Sequence, residues 1–215
     1  MVRLAGVAFS VALVAAFAAA TADEMKESHL HIGHVLTSWN DTPEERGLLP
    51  TALAEAEIAV THAGLALQQP DNLDWLKLHT THVMHAVNPD VMAQGPGLGY
   101  GVRRAADGVA KHIGFSAASK DASDNVKLHA EHVATSAGNA IGWVDEIVDL
   151  GAQVAGAPSA KQAAPLVEQI ETLSNRLLDG VDANGDGTVT WVEGEGGLKE
   201  AEKHMGFMTQ GEGLS

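Results

Sequence analysis

The chain has 215 residues, with 28 acidic side chains against 13 basic ones and a formal net charge of −15 at pH 7. So negative a balance argues against binding to nucleic acids or to anionic membrane surfaces, and it favours cations or basic partners. The sequence contains no cysteine, which excludes disulfides, thiolate metal sites and covalently attached c-type haem.

The first 22 residues have the pattern of a secretory signal peptide. Arg3 gives a positive start, an uncharged apolar run covers 4–20, and an A-x-A cleavage site ends at Ala22. The apolar run is short and alanine-rich for a membrane anchor, and no later segment is both long enough and apolar enough to span a bilayer. We therefore expect a periplasmic or secreted protein that begins near Asp23.

The remaining chain predicts an all-α fold, a bundle of five or six helices built from tandem helical hairpins over residues 23–157. Leu, Ile, Val and Ala recur at helical spacing in five segments, which are 24–39, 51–68, 73–87, 103–118 and 123–155. The glycine-rich stretch 95–101 links the two hairpins. It contains G-x-G-x-G, but no predicted strand precedes it, so nucleotide binding is not indicated.

The two hairpins are copies of one unit. A shift of fifty residues superimposes 47–82 on 97–132 without a gap and aligns His62 with His112, His79 with His129, and His82 with His132. The element Leu-His-x-x-His-Val occurs a third time near the mature N-terminus, at His31 and His34. Self-similarity of this kind indicates a duplicated supersecondary unit.

These repeated histidines are predicted to be ligands. Residues three apart share a helix face, so each His-x-x-His pair projects two imidazoles in one direction. The expected groups are His62 with His79 and His82, then His112 with His129 and His132, with His31 and His34 as a half unit. Three other histidines lack a repeat counterpart; His85 and His204 are expected at the surface, and His29 is not assigned a role.

Three interpretations of the histidines remain open. In the first, three imidazoles bind one ion such as Zn²⁺, Cu²⁺ or iron, and the protein binds or buffers metal. In the second, imidazoles pair across non-covalent haem b, and the protein carries electrons. In the third, the histidines are structural and the protein is a calcium-stabilised interaction module. An enzyme is not indicated, because the histidine helices contain no E-x-x-H pair and the sequence contains no H-E-x-x-H or G-x-S-x-G motif.

A second candidate site lies near the C-terminus, where 182–193 fits the pattern D-x-[DN]-x-[DN]-G-x5-E. This segment resembles the calcium loop of the EF-hand family over about residues 165–205. The resemblance implies Ca²⁺ ligands at Asp182, Asn184, Asp186, Thr188 (through its carbonyl), Thr190 (directly or through water) and Glu193 (through both oxygens). It also implies a sharp turn at Gly187 and packing of Val189 against the flanking helices.

Helices are predicted on both sides of this loop, over 166–179 and about 198–208, which makes 158–215 an EF-hand-like segment. Glycines at 194, 196 and 197 delay the second helix, because each glycine costs about 1 kcal/mol in a helix. EF-hand loops usually occur in pairs, and this chain shows one. An unpaired loop favours weak affinity, a structural role, or pairing between two copies in a homodimer.

Overall fold

The computed structural model describes residues 26–214, which form an all-α helical bundle, as predicted. Its helices are α1 (Glu27–Leu36), α2 (Leu48–Ala66), α3 (Leu73–Val87), α4 (Val102–Ala118), α5 (Asp124–Gly156), α6 (Ala160–Asp179) and α7 (Leu198–Glu212). A short 3-10 turn covers Pro43–Glu45. The predicted signal peptide at 1–22 lies outside the described residues.

Each α-helix corresponds to a predicted segment, with ends that differ by a few residues. The bundle nevertheless holds more helices than the five or six predicted, because α6 and α7 both pack against the long helix α5. Helix α5 also contacts α3 and α4, while α2 packs against α3, α4 and α6. Helix α1 lies mainly against α4. Within residues 26–214, no helix has the length and apolar character needed to cross a membrane.

The core is built largely from small side chains. On α2, the fully buried positions include Ala52, Ala56, Ala59, Ala63 and Ala66, which repeat at helical spacing. Alanine adds little bulk between neighbouring helices, so the helix axes can approach closely. Close approach matters for function because it brings histidines on adjacent helices within reach of one another.

Side chains outside the helices fix where the helices begin. Asn72 caps α3 by accepting a hydrogen bond from the Trp75 N–H, and Ser123 caps α5 in the same way. Helix α1 has no cap of its own, and the Asp121 carboxylate instead accepts from the N–H groups of Glu27 and Ser28. That carboxylate ties the start of α1 to the loop between α4 and α5.

The glycine-rich linker is held by one buried carboxylate. Glu55 on α2 is fully buried and accepts hydrogen bonds from the N–H groups of Leu98, Tyr100 and Gly101. Gly101 has a φ of 85°, and a Cβ at this position would lie 2.3 Å from Pro89. The linker therefore has a fixed path that sets where α4 begins.

Candidate metal centres

Histidines from two neighbouring helices converge at three places in the bundle. The first triad is His31, His34 and His112, the second is His62, His79 and His82, and the third is His129, His132 and His204. Within each triad, one ligand nitrogen from every histidine lies within 4.8 Å of the others. Among residues 26–214, no Asp or Glu belongs to any of these clusters.

The second triad lies between α2 and α3, within one helical hairpin. The Nδ1 atom of His62 is 2.9 Å from Nδ1 of His79 and 3.2 Å from Nδ1 of His82. His79 and His82 occupy one face of α3, as their spacing of three requires. The hairpin therefore brings together the three residues that the sequence grouped.

The first triad joins α1 to α4. Nδ1 of His112 lies 3.0 Å from Nδ1 of His31 and 3.2 Å from Nδ1 of His34. The sequence placed His112 with His129 and His132 instead, and that grouping is wrong. Helix α1 packs on α4 and meets the face that carries His112, so the supposed half unit at His31 and His34 is complete.

The third triad joins α5 to the last helix, α7. Nδ1 of His204 lies 3.1 Å from Nδ1 of His129 and 3.2 Å from Nδ1 of His132. His204 was expected to be an ordinary surface residue, and this expectation is wrong because the side chain is buried against α5. The triad thus combines histidines from both predicted segments, 23–157 and 158–215.

A signal for His204 was present in the sequence. Each triad contains one Leu-His-x-x-His-Val element and one His-x-Gly element followed by Phe or Leu. The three copies of the second element begin at His62, His112 and His204. The third copy has Met205 where the others have Ala63 or Ile113, and it falls outside the fifty-residue offset that revealed the first two.

The remaining histidines stand apart from the triads. His85 is buried rather than exposed, contrary to expectation, and its Nδ1 lies 2.8 Å from the carbonyl oxygen of Met92. His29 contacts the Glu212 carboxylate at 3.0 Å and so links α1 to α7. Both side chains connect elements of the bundle.

Three converging nitrogens are the arrangement that a metal ion requires. Metal–nitrogen bonds of about 2.0–2.1 Å at a tetrahedral angle separate the two nitrogens by about 3.3 Å. The observed separations of 2.9–3.2 Å are close to this value. A neutral imidazole carries one ring proton, so a ring whose Nε2 holds that proton presents the Nδ1 lone pair to an ion.

The surroundings of the triads keep most of these imidazoles neutral. Burial lowers the pKa of His112, and the neighbouring His34 and His31 lower it further. Burial likewise lowers the pKa of His62, with added repulsion from His82 and His79. Burial is also the main cause of the lowered pKa values of His34, His79, His82, His129, His132 and His204. Neutral rings are the form that binds a metal ion.

One carboxylate orients a ligand of the third triad. Oε1 of Glu200, one turn before His204 on α7, lies 3.2 Å from Nε2 of His204. A carboxylate in this position holds the ring proton on Nε2 and leaves Nδ1 as the acceptor. The imidazoles of the first and second triads have no such carboxylate partner within the described chain.

A tryptophan lies against each triad. The ring centroid of Trp39 is 4.4 Å from that of His112, Trp75 is 4.3 Å from His79, and Trp191 is 4.0 Å from His132. Three of the four tryptophans of the chain are therefore at these sites. They stand at different sequence distances from the histidines, so no spacing pattern could have pointed to them.

The predicted calcium loop wraps around Asp182. The two carboxylate oxygens of Asp182 accept hydrogen bonds from the N–H groups of Gly185, Asp186 and Gly187, and Gly187 has the expected positive φ of 89°. Asn184 accepts from the N–H of Asp186. The carboxylates of the loop do not form a cluster of three within 4.8 Å in the described part of the chain.

The second half of the loop contacts α5. Glu193 is exposed and lies in a turn, whereas the nearby Glu195 is buried and accepts hydrogen bonds from both the N–H and the hydroxyl of Thr190. Asn139 of α5 accepts from the N–H of Gly194. Because Trp191 belongs to this stretch, the loop also supplies the aromatic ring beside the third triad.

Fold and site together define an all-α bundle with three histidine clusters that could each hold a metal ion. Comparisons with protein-family models, with curated proteins and with solved structures give no match. The function therefore has to be inferred from the chemistry of the triads.

Proposed function

We propose that this protein binds three transition-metal ions, one at each histidine triad, and that it stores or buffers them after export. The observation that carries this proposal is a geometry that occurs three times: the Nδ1 atom of one histidine lies 2.9–3.2 Å from the Nδ1 atoms of a His-x-x-His pair on a neighbouring helix. A single cluster of buried histidines is common in helix packing. Three clusters made from the same two sequence elements indicate a repeated requirement for the same ligand set.

The geometry favours single ions over haem b. A bis-histidine haem needs two imidazoles on opposite faces of a porphyrin, with the iron between their nitrogens. Here one nitrogen of each triad lies 2.9–3.2 Å from the other two, and all three lie within 4.8 Å of one another, which leaves no space for a macrocycle between them. An ion with an open coordination shell fits this arrangement.

Removal of the lone histidine of a triad should remove one bound ion. We expect the metal-free protein to take up three equivalents in a calorimetric titration, and His62→Ala, His112→Ala and His204→Ala each to take up two. His29→Gln, which changes a histidine outside the triads, serves as the control and should retain three. Unchanged stoichiometry in all three alanine variants would show that the triads are structural.

The loop at 182–193 supports a second proposal, that the protein also binds Ca²⁺. The wrapping of three backbone N–H groups around Asp182 and the turn at Gly187 are compatible with the oxygen cage of an EF-hand loop. An exported protein would meet calcium concentrations high enough to fill a weak site.

Glu193→Gln should weaken Ca²⁺ binding by about tenfold or more, because the substitution removes charge from the one bidentate ligand. Isothermal titration with Ca²⁺ is the measurement, and Glu146→Gln on the surface of α5 is the matched control. Equal Ca²⁺ affinity in the two variants would remove the EF-hand assignment and leave the metal proposal for the triads intact.

A further inference from the structure

We propose that the ion selected by the triads is cuprous copper, Cu⁺, held by three neutral imidazoles. This inference rests on the proposed function of the triads and adds the identity of their ion. It concerns binding alone, and the ion keeps its oxidation state throughout.

The ligand set is uniform and carries no charge. Each triad offers three histidine nitrogens, and no Asp or Glu oxygen of the described chain lies within 4.8 Å of all three. The chain has no cysteine to supply a thiolate. A bound ion therefore keeps its full charge, because neutral imidazoles donate electron pairs without neutralising it.

The cost of an uncompensated charge distinguishes the two kinds of ion. In the Born model, the free energy needed to remove an ion from water rises with the square of its charge. Desolvation of a divalent ion therefore costs about four times as much as that of a monovalent ion of equal size. His79 and His204 are buried, and the other seven ligand histidines are partly buried. A monovalent ion suits such a site better than Zn²⁺ does.

Aromatic side chains lie beside the triads. Besides the three tryptophans, Phe115 lies 5.4 Å from His31, and Phe207 lies 5.6 Å from His204, measured between ring centroids. These rings offer no oxygen to a hard cation. Their π electrons attract a soft, weakly hydrated cation.

The three triads differ in a way that makes the inference testable within one molecule. Glu200 places a carboxylate against His204, so the third triad has an anion beside its ligands. The first and second triads have none in contact with their imidazoles in the structure described. The third triad should therefore tolerate a divalent ion best, and the preference for Cu⁺ should be strongest at the other two.

The first measurement is a competition titration of the metal-free protein under anaerobic conditions. Cu⁺ and Zn²⁺ are each titrated against a chromophoric chelator of known affinity. We expect the chain to bind three Cu⁺ ions. At the first and second triads, Cu⁺ should bind at least about tenfold more tightly than Zn²⁺. X-ray absorption of the Cu⁺ form should show three nitrogen neighbours. Zn²⁺ bound as tightly as Cu⁺ would overturn this inference and leave the proposed function standing.

A variant at the third triad provides the second measurement. In a protein with His62→Ala and His112→Ala, which leaves the third triad alone, Glu200→Gln should lower Zn²⁺ affinity by about 10- to 100-fold and Cu⁺ affinity by less. Glu202→Gln, an exposed neighbour on the same helix, should change neither. Equal losses for both ions would contradict the charge argument, and failure of the parent to bind either ion would overturn the proposed function itself.

Discussion

The ligand nitrogens of a triad lie so close together that protonating two of the rings is unfavourable. Nδ1 of His62 lies 2.9 Å from Nδ1 of His79, a distance at which two protonated rings repel strongly. Burial and mutual repulsion together lower the pKa of His62, so the folded protein resists protonation there. The close approach of these nitrogens therefore makes the stability of the folded protein depend on pH.

The metal-free protein should therefore lose stability as the pH falls. Because burial lowers the pKa values of His62, His112 and His204 below the ordinary histidine value of about 6.5, the unfolded chain binds more protons than the folded chain as the pH falls through 6.5. The free energy of unfolding is therefore highest above pH 7. It falls as the pH drops below about 6.5, and the fall stops once the histidines of the folded chain are protonated too.

Urea denaturation at pH 8, 7, 6 and 5 measures how the free energy of unfolding depends on pH. Replacing His112 by Gln should make stability depend less on pH, since the first triad then loses a ring whose pKa is lowered by burial and by His34 and His31. Stability that is constant between pH 7 and pH 5 in the metal-free protein would contradict the prediction.

At the scale of the helix, each lone histidine is followed two residues later by an exposed glycine. Gly64, Gly114 and Gly206 lie inside α2, α4 and α7, and an added Cβ at any of them would meet no atom within 4 Å. A glycine in an exposed helix interior costs about 0.5–1 kcal/mol relative to alanine. The packing of the bundle does not require these three residues.

Gly114→Ala should accordingly raise the free energy of unfolding by about 0.5–1 kcal/mol. Thermal and urea unfolding of the metal-free protein test the change. The matched control is Gly108→Ala on the same helix, where a Cβ would lie 2.7 Å from Leu48 Cδ2 and should not stabilise. A loss of stability in Gly114→Ala would show that the open space is not available to a side chain.

The elements themselves could be predicted from the sequence, because apolar spacing and punctuation by Pro, Gly and capping residues are local signals. Helix α3 begins at Leu73 and ends at Val87 as expected, after the Asn72 cap and before Asn88-Pro89. The partners of His112 could not be predicted, since a helix-forming pattern does not say which neighbour a face meets. The repeat alone could not show that α1 provides the partners of His112, or that α7 provides the partner of His129 and His132.

At the scale of the whole molecule, the triads act as cross-links between helices that are otherwise joined by alanine-rich packing. They connect α1 to α4, α2 to α3, and α5 to α7. An ion that binds only the folded chain stabilises it by about 2.7 kcal/mol when present at 100 times its dissociation constant. Full loading of three sites would therefore add on the order of 8 kcal/mol.

Metal removal should produce a large fall in the midpoint of thermal unfolding. The measurement compares circular dichroism melts of the loaded protein with and without a chelator, and His62→Ala should lose about one third of the gain. A melting midpoint that does not respond to the ion would show that the triads bind equally well in the unfolded chain or do not bind at all.

The spacing of the ligands along the chain has a consequence for the order of events during folding. The closest nitrogen pairs of the second triad are 17 and 20 residues apart, whereas those of the first are 81 and 78 apart and those of the third 75 and 72. Closing a loop four times longer costs about 1.2 kcal/mol more entropy, and non-local contacts form later. If the triads bind metal as proposed, a chain that emerges N-terminus first would complete its middle site before α5 and α7 are available, and an ion bound there would stabilise the α2–α3 hairpin before the rest of the bundle assembles.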